Sequence, residues 1–324
     1  MLEILRIAPL SSVQDLGRDV WRYLGVPMAG PLDEWSHGVA NALLGNAENA
    51  AVLEIGFGRS QFRFQHAAVI AITGARTPAR VEQTPVPLWR PLHVAAGATL
   101  TLDPAQLGAR TYVAIAGGWL TPSVLGSRCA LTQAPGGPAL LQRADQLQFA
   151  SCASFAGMPA LRPGLVAQPA PWWADGEPLL DLGAQAGLRV IEGSHSRLLN
   201  DRRALYMQAF ELSAASNRMA VALSGSPLQI SDGASLLSEP VMPGTVQLPP
   251  DGLPVILLND AQTIGGYARI GHIASIDMAR LAQRRPGSMI QFEPISVEAA
   301  QRLWLWRRQR LMRLRIAAID RLHG

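Results

Sequence analysis

The segment NDAQTIGGYARIGHI at residues 259–273 combines side chains that could hold and activate a small molecule. It directly follows the apolar run LPVILL, which is typical of a buried strand. Its candidate contact residues are Asp260, Gln262, Thr263, Gly265, Gly266 and Tyr267. Paired glycines allow the backbone to approach a ligand closely, but they equally suit a turn that only reverses the chain. From these residues alone, both interpretations stay open.

Arg218 and Asp33 are two further candidates. Arg218 precedes a strand pattern in ASNRMAVALSG, and its planar guanidinium could clamp a carboxylate. An ordinary surface ion pair explains this arginine equally well. Asp33, Ser36 and Asn41 lie on or before a helix predicted by the pattern PLDEWSHGVANALLGN, and the N-terminus of a helix favours anionic ligands. The alternative is that Asp33 only caps this helix.

A possible anion-binding loop follows the strand pattern YVAIA. It reads AGGWLTPSVLGS and contains Gly117, Gly118 and Ser127. Exposed backbone N–H groups at such a loop can cradle an anion. The loop matches neither GxGxxG nor GK[ST], and paired glycines commonly supply the positive φ of a turn. We therefore favour a structural turn and keep the three residues as possible anion ligands.

Several classes of chemistry are poorly supported. The six histidines are scattered without HxH or HExxH spacing, so no metal site is expected. There is no GxSxG segment for a serine nucleophile. All 28 basic residues are arginine, and without lysine this chain can hold no P-loop lysine, Schiff base or attached biotin.

Composition places the chain among globular, mainly β proteins. Hydrophobic residues make up 48% of it and charged residues 16%, while 30 glycines and 24 prolines suit short strands joined by tight turns. The net charge of +4 is concentrated near the C-terminus, without the basic stripe typical of nucleic-acid binding. Cys129 and Cys152 are too few for a disulfide scaffold. Because we find no signal sequence and no membrane-spanning run, we expect a cytoplasmic protein without a membrane partner.

The order of elements predicts two β domains and a terminal helix. Short apolar runs such as AAVIAITGA, RTYVAIAGG and LPVILLND indicate strands. Helical patterns occur at residues 31–46, 196–210 and 275–287, and again from 296 to the end. We predict a first β domain at 1–150, a proline-rich linker or crossover at 151–178, a second β domain at 179–295 and a C-terminal helix at 296–324.

Five separated segments of the chain resemble one known family. They are GVPMAGPLDEWSHGVANALLGNAENAAVLEI, AITGA, VAIAGGWLTPSVLGS, SNRMAVALSG and PGTVQLPPDGLPVILLNDAQTIGGYARIGHIASIDMARLAQRRPG. Together they resemble the allophanate hydrolase subunit 2 family, also called the KipA or biotin-dependent carboxyltransferase family. That family includes the C component of 5-oxoprolinase and a segment of urea carboxylase. The resemblance extends over about residues 10–300 in matching order.

The resemblance implies a fold and a molecular setting. The two β domains, 1–150 and 179–295, would be cyclophilin-like β-barrels. The chain would be the C component of an ATP-dependent 5-oxoprolinase-like amidohydrolase, which opens the cyclic amide 5-oxoproline to glutamate. Its partners would be a KipI-like component and a LamB/YcsF-like component, and the complex would use ATP with Mg²⁺. A small amide would be the substrate.

Within this resemblance the candidate residues acquire roles. Gln262, Thr263 and the amides of the glycine pair would hold amide or phosphoryl oxygens, and Arg218 would hold a carboxylate. Asp260 or Asp33 would be the acid or base. The chain departs from the family pattern where Ala144 replaces a usual glycine and where QTIGGYA replaces QTTGGYP.

Two alternatives remain at this level. The chain could be a non-catalytic regulatory module that binds a KipI-like partner. It could also be a component of a biotin-dependent carboxyltransferase or allophanate hydrolase, served by biotin on another protein.

Overall fold

The computed structural model describes residues 1–131, 138–150, 157–176, 180, 187–230 and 236–323. The chain divides into two compact units. The first contains Met1–Gly17, Asp33–Leu182 and Arg308–Gly324, and the second contains Arg18–Leu32 and Gly183–Arg307. Strands dominate both units, which confirms the predicted mainly β class.

The first unit is built from two antiparallel six-stranded sheets, in the orders β11-β1-β4-β9-β6-β7 and β12-β8-β5-β10-β3-β2. Their strands are β1 (Leu2–Arg6), β2 (Ser12–Gln14), β3 (Val52–Ile55), β4 (Ser60–Phe64), β5 (Ala68–Arg76), β6 (Ala79–Val81), β7 (Thr84–Val86), β8 (Pro91–Val94), β9 (Thr99–Leu102), β10 (Leu107–Ile115), β11 (Gln146–Leu147) and β12 (Ala167–Pro169).

One core joins these two sheets. Ile4 and Phe62 from one sheet pack with Ile70 and Val113 from the other. Strand β5 is buried along almost its whole length because helix α1 (Glu34–Leu43) packs on its other face. A strand covered on both sides reads as a continuous apolar run, which is why AVIAIT shows no alternation.

The second unit is a closed barrel in the order β13-β20-β17-β18-β15-β14-β21, with a two-stranded ribbon formed by β16 and β19. The strands are β13 (Leu188–Glu192), β14 (Ala209–Leu212), β15 (Ala220–Ser224), β16 (Glu239–Pro240), β17 (Thr245–Leu248), β18 (Val255–Leu257), β19 (Ile264–Gly265), β20 (Ala268–Ile273) and β21 (Met289–Pro294). The barrel core includes Val190, Phe210, Val246, Ile270 and Phe292.

The helices match the predicted patterns in three of four places. Helix α1 confirms the pattern at 31–46, α3 (Ser275–Ala282) the pattern at 275–287, and α4 (Val297–His323) the C-terminal helix. The pattern at 196–210 is broken into the 3₁₀ turn Ser196–Leu198 and the short helix α2 (Ala204–Met207). None of the helices described in the structure is long and apolar enough to cross a membrane.

The break at 196–210 has a local cause. The side chain of Asp201 accepts a hydrogen bond from the backbone N–H of Arg203 at 2.8 Å. Such Asx turns compete with helical hydrogen bonding, so the chain turns between the two short helical pieces.

Two features differ from the predicted domain boundaries. Arg18–Leu32, placed by prediction in the first domain, belongs to the second unit. Strand β12 lies inside the predicted linker but pairs with β8 in a sheet of the first unit, so this part of 151–178 is not a linker. Cys152 and residue 179 lie outside the described residues.

A matched pair of glycines tests the packing of the first unit. Gly74 and Gly97 both have positive φ, of 91° and 80°. A Cβ on Gly74 would lie 2.4 Å from the carbonyl oxygen of Arg110, whereas one on Gly97 would meet nothing within 4 Å. We expect Gly97→Ala to cost about 1 kcal/mol of backbone strain and Gly74→Ala to cost about 1–3 kcal/mol more. Equal urea denaturation midpoints for the two variants would contradict this packing.

Candidate functional site

Arg218 and Asp260 form a two-point ion pair in the second unit. Arg218 Nε donates to Asp260 Oδ2 at 2.9 Å and Arg218 Nη2 donates to Asp260 Oδ1 at 3.2 Å. The side chains are only 8% and 16% exposed, so the pair is largely withdrawn from water. Arg218 Nη2 also donates to the carbonyl of Gly30 at 2.7 Å. The predicted carboxylate clamp therefore already holds a carboxylate of its own chain.

Of the two interpretations left open for Arg218, the geometry matches the ion pair, although the pair is largely buried. The guanidinium fixes Asp260 close to the point where β18 ends. The backbone reinforces the arrangement, because Asp260 N–H donates to the carbonyl of Arg218 at 3.1 Å. Next to it, Asn259 Nδ2 donates to the carbonyl of Pro31 at 2.9 Å. Asp260 is thus a carboxylate held in one orientation.

The predicted ligand loop continues from Asp260 into the β16–β19 ribbon. Glu239 pairs with Gly265 and Pro240 with Ile264, and the N–H of Val241 donates to the carbonyl of Thr263 at 3.0 Å. The neighbouring residues Gln262, Gly266 and Tyr267 are exposed and Thr263 is half-buried. The structure therefore places the polar groups of this loop at the surface of one unit, on a short ribbon beside a held carboxylate.

Gln247 is a residue that the sequence interpretation missed. It lies in β17, is 1% exposed, and its Nε2 has no hydrogen-bond partner among the described residues. A Cβ on Gly265 would lie 2.5 Å from this nitrogen, so the amide packs directly against the glycine of the ribbon. An unpaired buried amide costs about 1–3 kcal/mol. Its one sequence signal is a glutamine between the apolar residues Val246 and Leu248.

Asp33 is a helix cap. Its Oδ1 accepts from the N–H of Ser36 at 2.9 Å and its Oδ2 from the hydroxyl of Ser36 at 2.6 Å. The Asp33 N–H donates to the hydroxyl of Tyr112, which in turn donates to Glu54. The side chain is 0% exposed. Of the two sequence interpretations, capping is the one observed, and the structure offers no support for an acid or base role.

The three possible anion ligands also donate hydrogen bonds within the chain. Gly117 N–H donates to Asn46 Oδ1 at 2.9 Å, and Gly118 N–H donates to the carbonyl of Ile115 at 2.9 Å. Ser127 is fully buried and its hydroxyl donates to Asp15 at 2.6 Å. Both glycines have positive φ, near 80°. A structural turn, the interpretation favoured from the sequence, accounts for every donor named.

The loop that carries Ser127 also holds a buried thiol. Burial, reinforced by the neighbouring Asp15 carboxylate, raises the pKa of Cys129 to about 12. Ala144, where the family resemblance predicts a glycine, adopts a positive φ of 73°. This conformation places some backbone strain at Ala144.

A cavity of about 340 Å³ in the second unit contains none of the predicted residues. Its lining combines apolar side chains, such as Val190 and Ile270, with polar ones. Among the polar ones, Glu192 accepts hydrogen bonds from Ser196 and Arg202. Over the described part of the chain, no group of three His, Cys, Asp or Glu could hold a metal ion.

Comparisons with known proteins find relatives over almost the whole chain. Residues 24–294 match the family model for the carboxyltransferase domain, subdomain A and B. The chain is 37% identical to the C component of 5-oxoprolinase from Escherichia coli (strain K12), over 93% of each chain. It is 32% identical to the Haemophilus influenzae protein of the same name, over 94% of each.

A solved structure supports the fold as well. The crystal structure of the K. lactis urea amidolyase matches with a TM-score of 0.83 and 24% identity over 97% of this chain. The chain spans only 20% of that larger protein. The likeness therefore concerns the fold of one segment.

A matched glycine pair tests the contact under the ribbon. Gly265→Ala would drive its Cβ against the buried amide of Gln247, while a Cβ on Gly266 would meet only the hydroxyl of Ser238 at 3.3 Å. We expect Gly265→Ala to lower the free energy of unfolding by about 1–3 kcal/mol and Gly266→Ala by clearly less. Adding Gln247→Ala to Gly265→Ala should recover part of the loss in a double-mutant cycle. Full additivity would contradict the contact.

The pH dependence of stability tests the burial of α1. Burial lowers the pKa of His37 to about 4, from 6.5. Between these values the unfolded chain binds the proton more readily, so stability is lost as pH falls from about 6.5 to 4. Replacing His37 by leucine should remove this part of the loss, measured as the difference between variant and wild-type denaturation midpoints at each pH. A difference that does not change with pH would count against the buried neutral imidazole.

Proposed function

The chain belongs to the carboxyltransferase domain, subdomain A and B, family, and on this premise we propose that it is the C component of an ATP-dependent 5-oxoprolinase-like amidohydrolase. In this proposal it works with a KipI-like component and a LamB/YcsF-like component. The substrate is a small cyclic amide, 5-oxoproline, which is opened to glutamate.

The share of each relative that this chain covers supports this choice. The two 5-oxoprolinase components match over nearly their whole lengths. The urea amidolyase of Lachancea kluyveri matches at 26% identity, and only 17% of its length is covered. The higher identity and the nearly full-length match therefore favour the oxoprolinase assembly over the urea-processing one.

The chemistry proposed for this chain centres on Asp260. Its carboxylate is oriented by two hydrogen bonds from Arg218 and can accept or return a proton at an amide held in front of it. Arg218 acts as a positioning residue. Gln262, Thr263 and Tyr267 are accessible on the ribbon and would bind the polar edges of the substrate, while the Gly265–Gly266 pair lets the backbone come close.

The three possible anion ligands of this chain do not fit a nucleotide site. The amides of Gly117 and Gly118 and the hydroxyl of Ser127 already donate within the chain, and the sequence contains no lysine for a phosphate. We therefore derive no step through ATP and Mg²⁺ in this chain, and we propose that the partner components bind them.

Reconstitution with the KipI-like and LamB/YcsF-like components tests the proposal. We expect 5-oxoproline-dependent ATP hydrolysis by the assembled complex. Asp260→Asn should lower its kcat by about a hundredfold or more, as loss of a general acid or base does. Gln262→Ala should lower kcat/KM by about tenfold, the upper end for one neutral hydrogen bond. Both are read as activity per assembled, folded complex.

Two matched controls separate chemistry from folding. Asp277 is fully buried and accepts two hydrogen bonds from the guanidinium of Arg189, so Asp277→Asn breaks a similar ion pair in the same unit. It should lower stability and leave the activity of the folded fraction intact. Gln291→Ala changes an exposed glutamine on β21 and should alter neither. Absence of activity in the wild-type complex, or unchanged activity in Asp260→Asn, would refute the proposal.

A further inference from the structure

Two buried donors lie side by side beneath the β16–β19 ribbon. One is Nε2 of Gln247, and the other is Nε of Arg269, which likewise has no partner among the described residues. The two residues are direct neighbours in the β17–β20 pairing. Neither belongs to the residues assigned above to the chemistry or to substrate contacts.

Strand geometry places both side chains on the outside of the barrel. Val246, Leu248, Ala268 and Ile270 are in the barrel core, and successive side chains of a strand point to opposite faces. Gln247 therefore points outward, yet it is buried because the ribbon lies over it.

A local irregularity occurs at the same point. The register of β17 against β20 shifts between Val246 and Gln247. Such bulges commonly re-aim a side chain beside a functional site. The extra residue is Ile270 of β20, so the bulge lies directly next to Arg269 and opposite Gln247.

The charges around the two donors indicate which kind of acceptor atom they would bind. Arg269 forms an ion pair with Glu239 of the ribbon, and its Nη1 donates to the carbonyl of Pro240 at 3.3 Å. The arginine is thus already neutralised by its own chain. A neutral amide nitrogen next to an ion-paired guanidinium suits an uncharged carbonyl oxygen better than a second carboxylate, which would face Glu239.

The ribbon is short. Two residue pairs join β16 and β19, the N–H of Val241 donates to the carbonyl of Thr263 beside them, and Pro240 has no N–H to donate. Lifting it would also break the ion pair between Arg269 and Glu239. Gly265 adds no side chain between the ribbon and Gln247.

We propose that Gln247 and Arg269 form the floor of a carbonyl-binding subsite, which takes the amide oxygen of the substrate when the β16–β19 ribbon lifts. The inference rests on the proposed function, since it places the cyclic amide at the same ribbon. It assigns Gln247 to substrate binding, and it explains why a buried amide donor is left without a partner among the described residues. The ligand oxygen supplies that partner.

Kinetics of the Gln247→Met complex test the subsite. Methionine keeps the approximate length of glutamine and removes the donor. We expect KM for 5-oxoproline to rise about tenfold, the upper end for one hydrogen bond. We expect the unliganded protein to be as stable as wild type or more stable, because an unsatisfied buried polar group is gone. Gln291→Met, on an exposed position of β21, should change neither quantity.

A second lactam identifies the atom that is bound. 2-Pyrrolidinone carries the ring carbonyl without the carboxylate, and its inhibition constant should rise in Gln247→Met by the same factor as KM. A rise in KM alone would assign the donors to the carboxylate and overturn the carbonyl assignment, as would a wild-type complex that 2-pyrrolidinone fails to inhibit.

The other outcomes of these experiments also test the subsite or the proposed function. An unchanged KM would overturn the subsite, and so would a stability loss that accounts for the whole activity loss, because both would make Gln247 a packing residue. An inactive wild-type complex would instead refute the proposed function and the substrate named with it.

Discussion

The ion pair between Arg218 and Asp260 is the constraint on which the candidate site depends. It joins three parts of the second unit that are far apart in sequence: the carbonyl of Gly30, the segment before β15 and the segment after β18. Removing both charges from water offsets much of their attraction, so such a pair adds little net stability. Its contribution is positional, because it fixes where the barrel ends and where the candidate ligand loop begins.

From this anchor the chain crosses the outer wall of the barrel. A barrel strand ordinarily presents its outward side chains to water, but the β16–β19 ribbon covers β17 at Gln247. Polar groups beneath such a cover must find partners or remain costly. The close approach at Gly265 follows from the same arrangement, because any larger residue would meet the amide that the ribbon covers.

In the first unit, candidate residues of similar types have only structural roles. Its carboxylate, serine and glycine candidates are all committed to internal hydrogen bonds, which tie α1 to its cap and shape two turns. The candidate loop of the second unit differs in that Gln262 and Tyr267 are exposed and accessible to a ligand. Residue type alone does not distinguish the two cases, since Asp33 and Asp260 were equally good candidates by type.

The sequence by itself determined the mainly β class, three of the helices and the family, because turn residues, apolar runs and local motifs lie in contiguous residues. It also singled out the loop from Asp260 to Tyr267 as a candidate. Only the tertiary structure decided that Arg218 is paired with Asp260, that Arg18–Leu32 belongs with the second unit and that Gln247 lies under Gly265. These facts depend on strand register and on contacts between distant segments. A one-residue shift in register reverses the face of every side chain, so no local pattern could have revealed them.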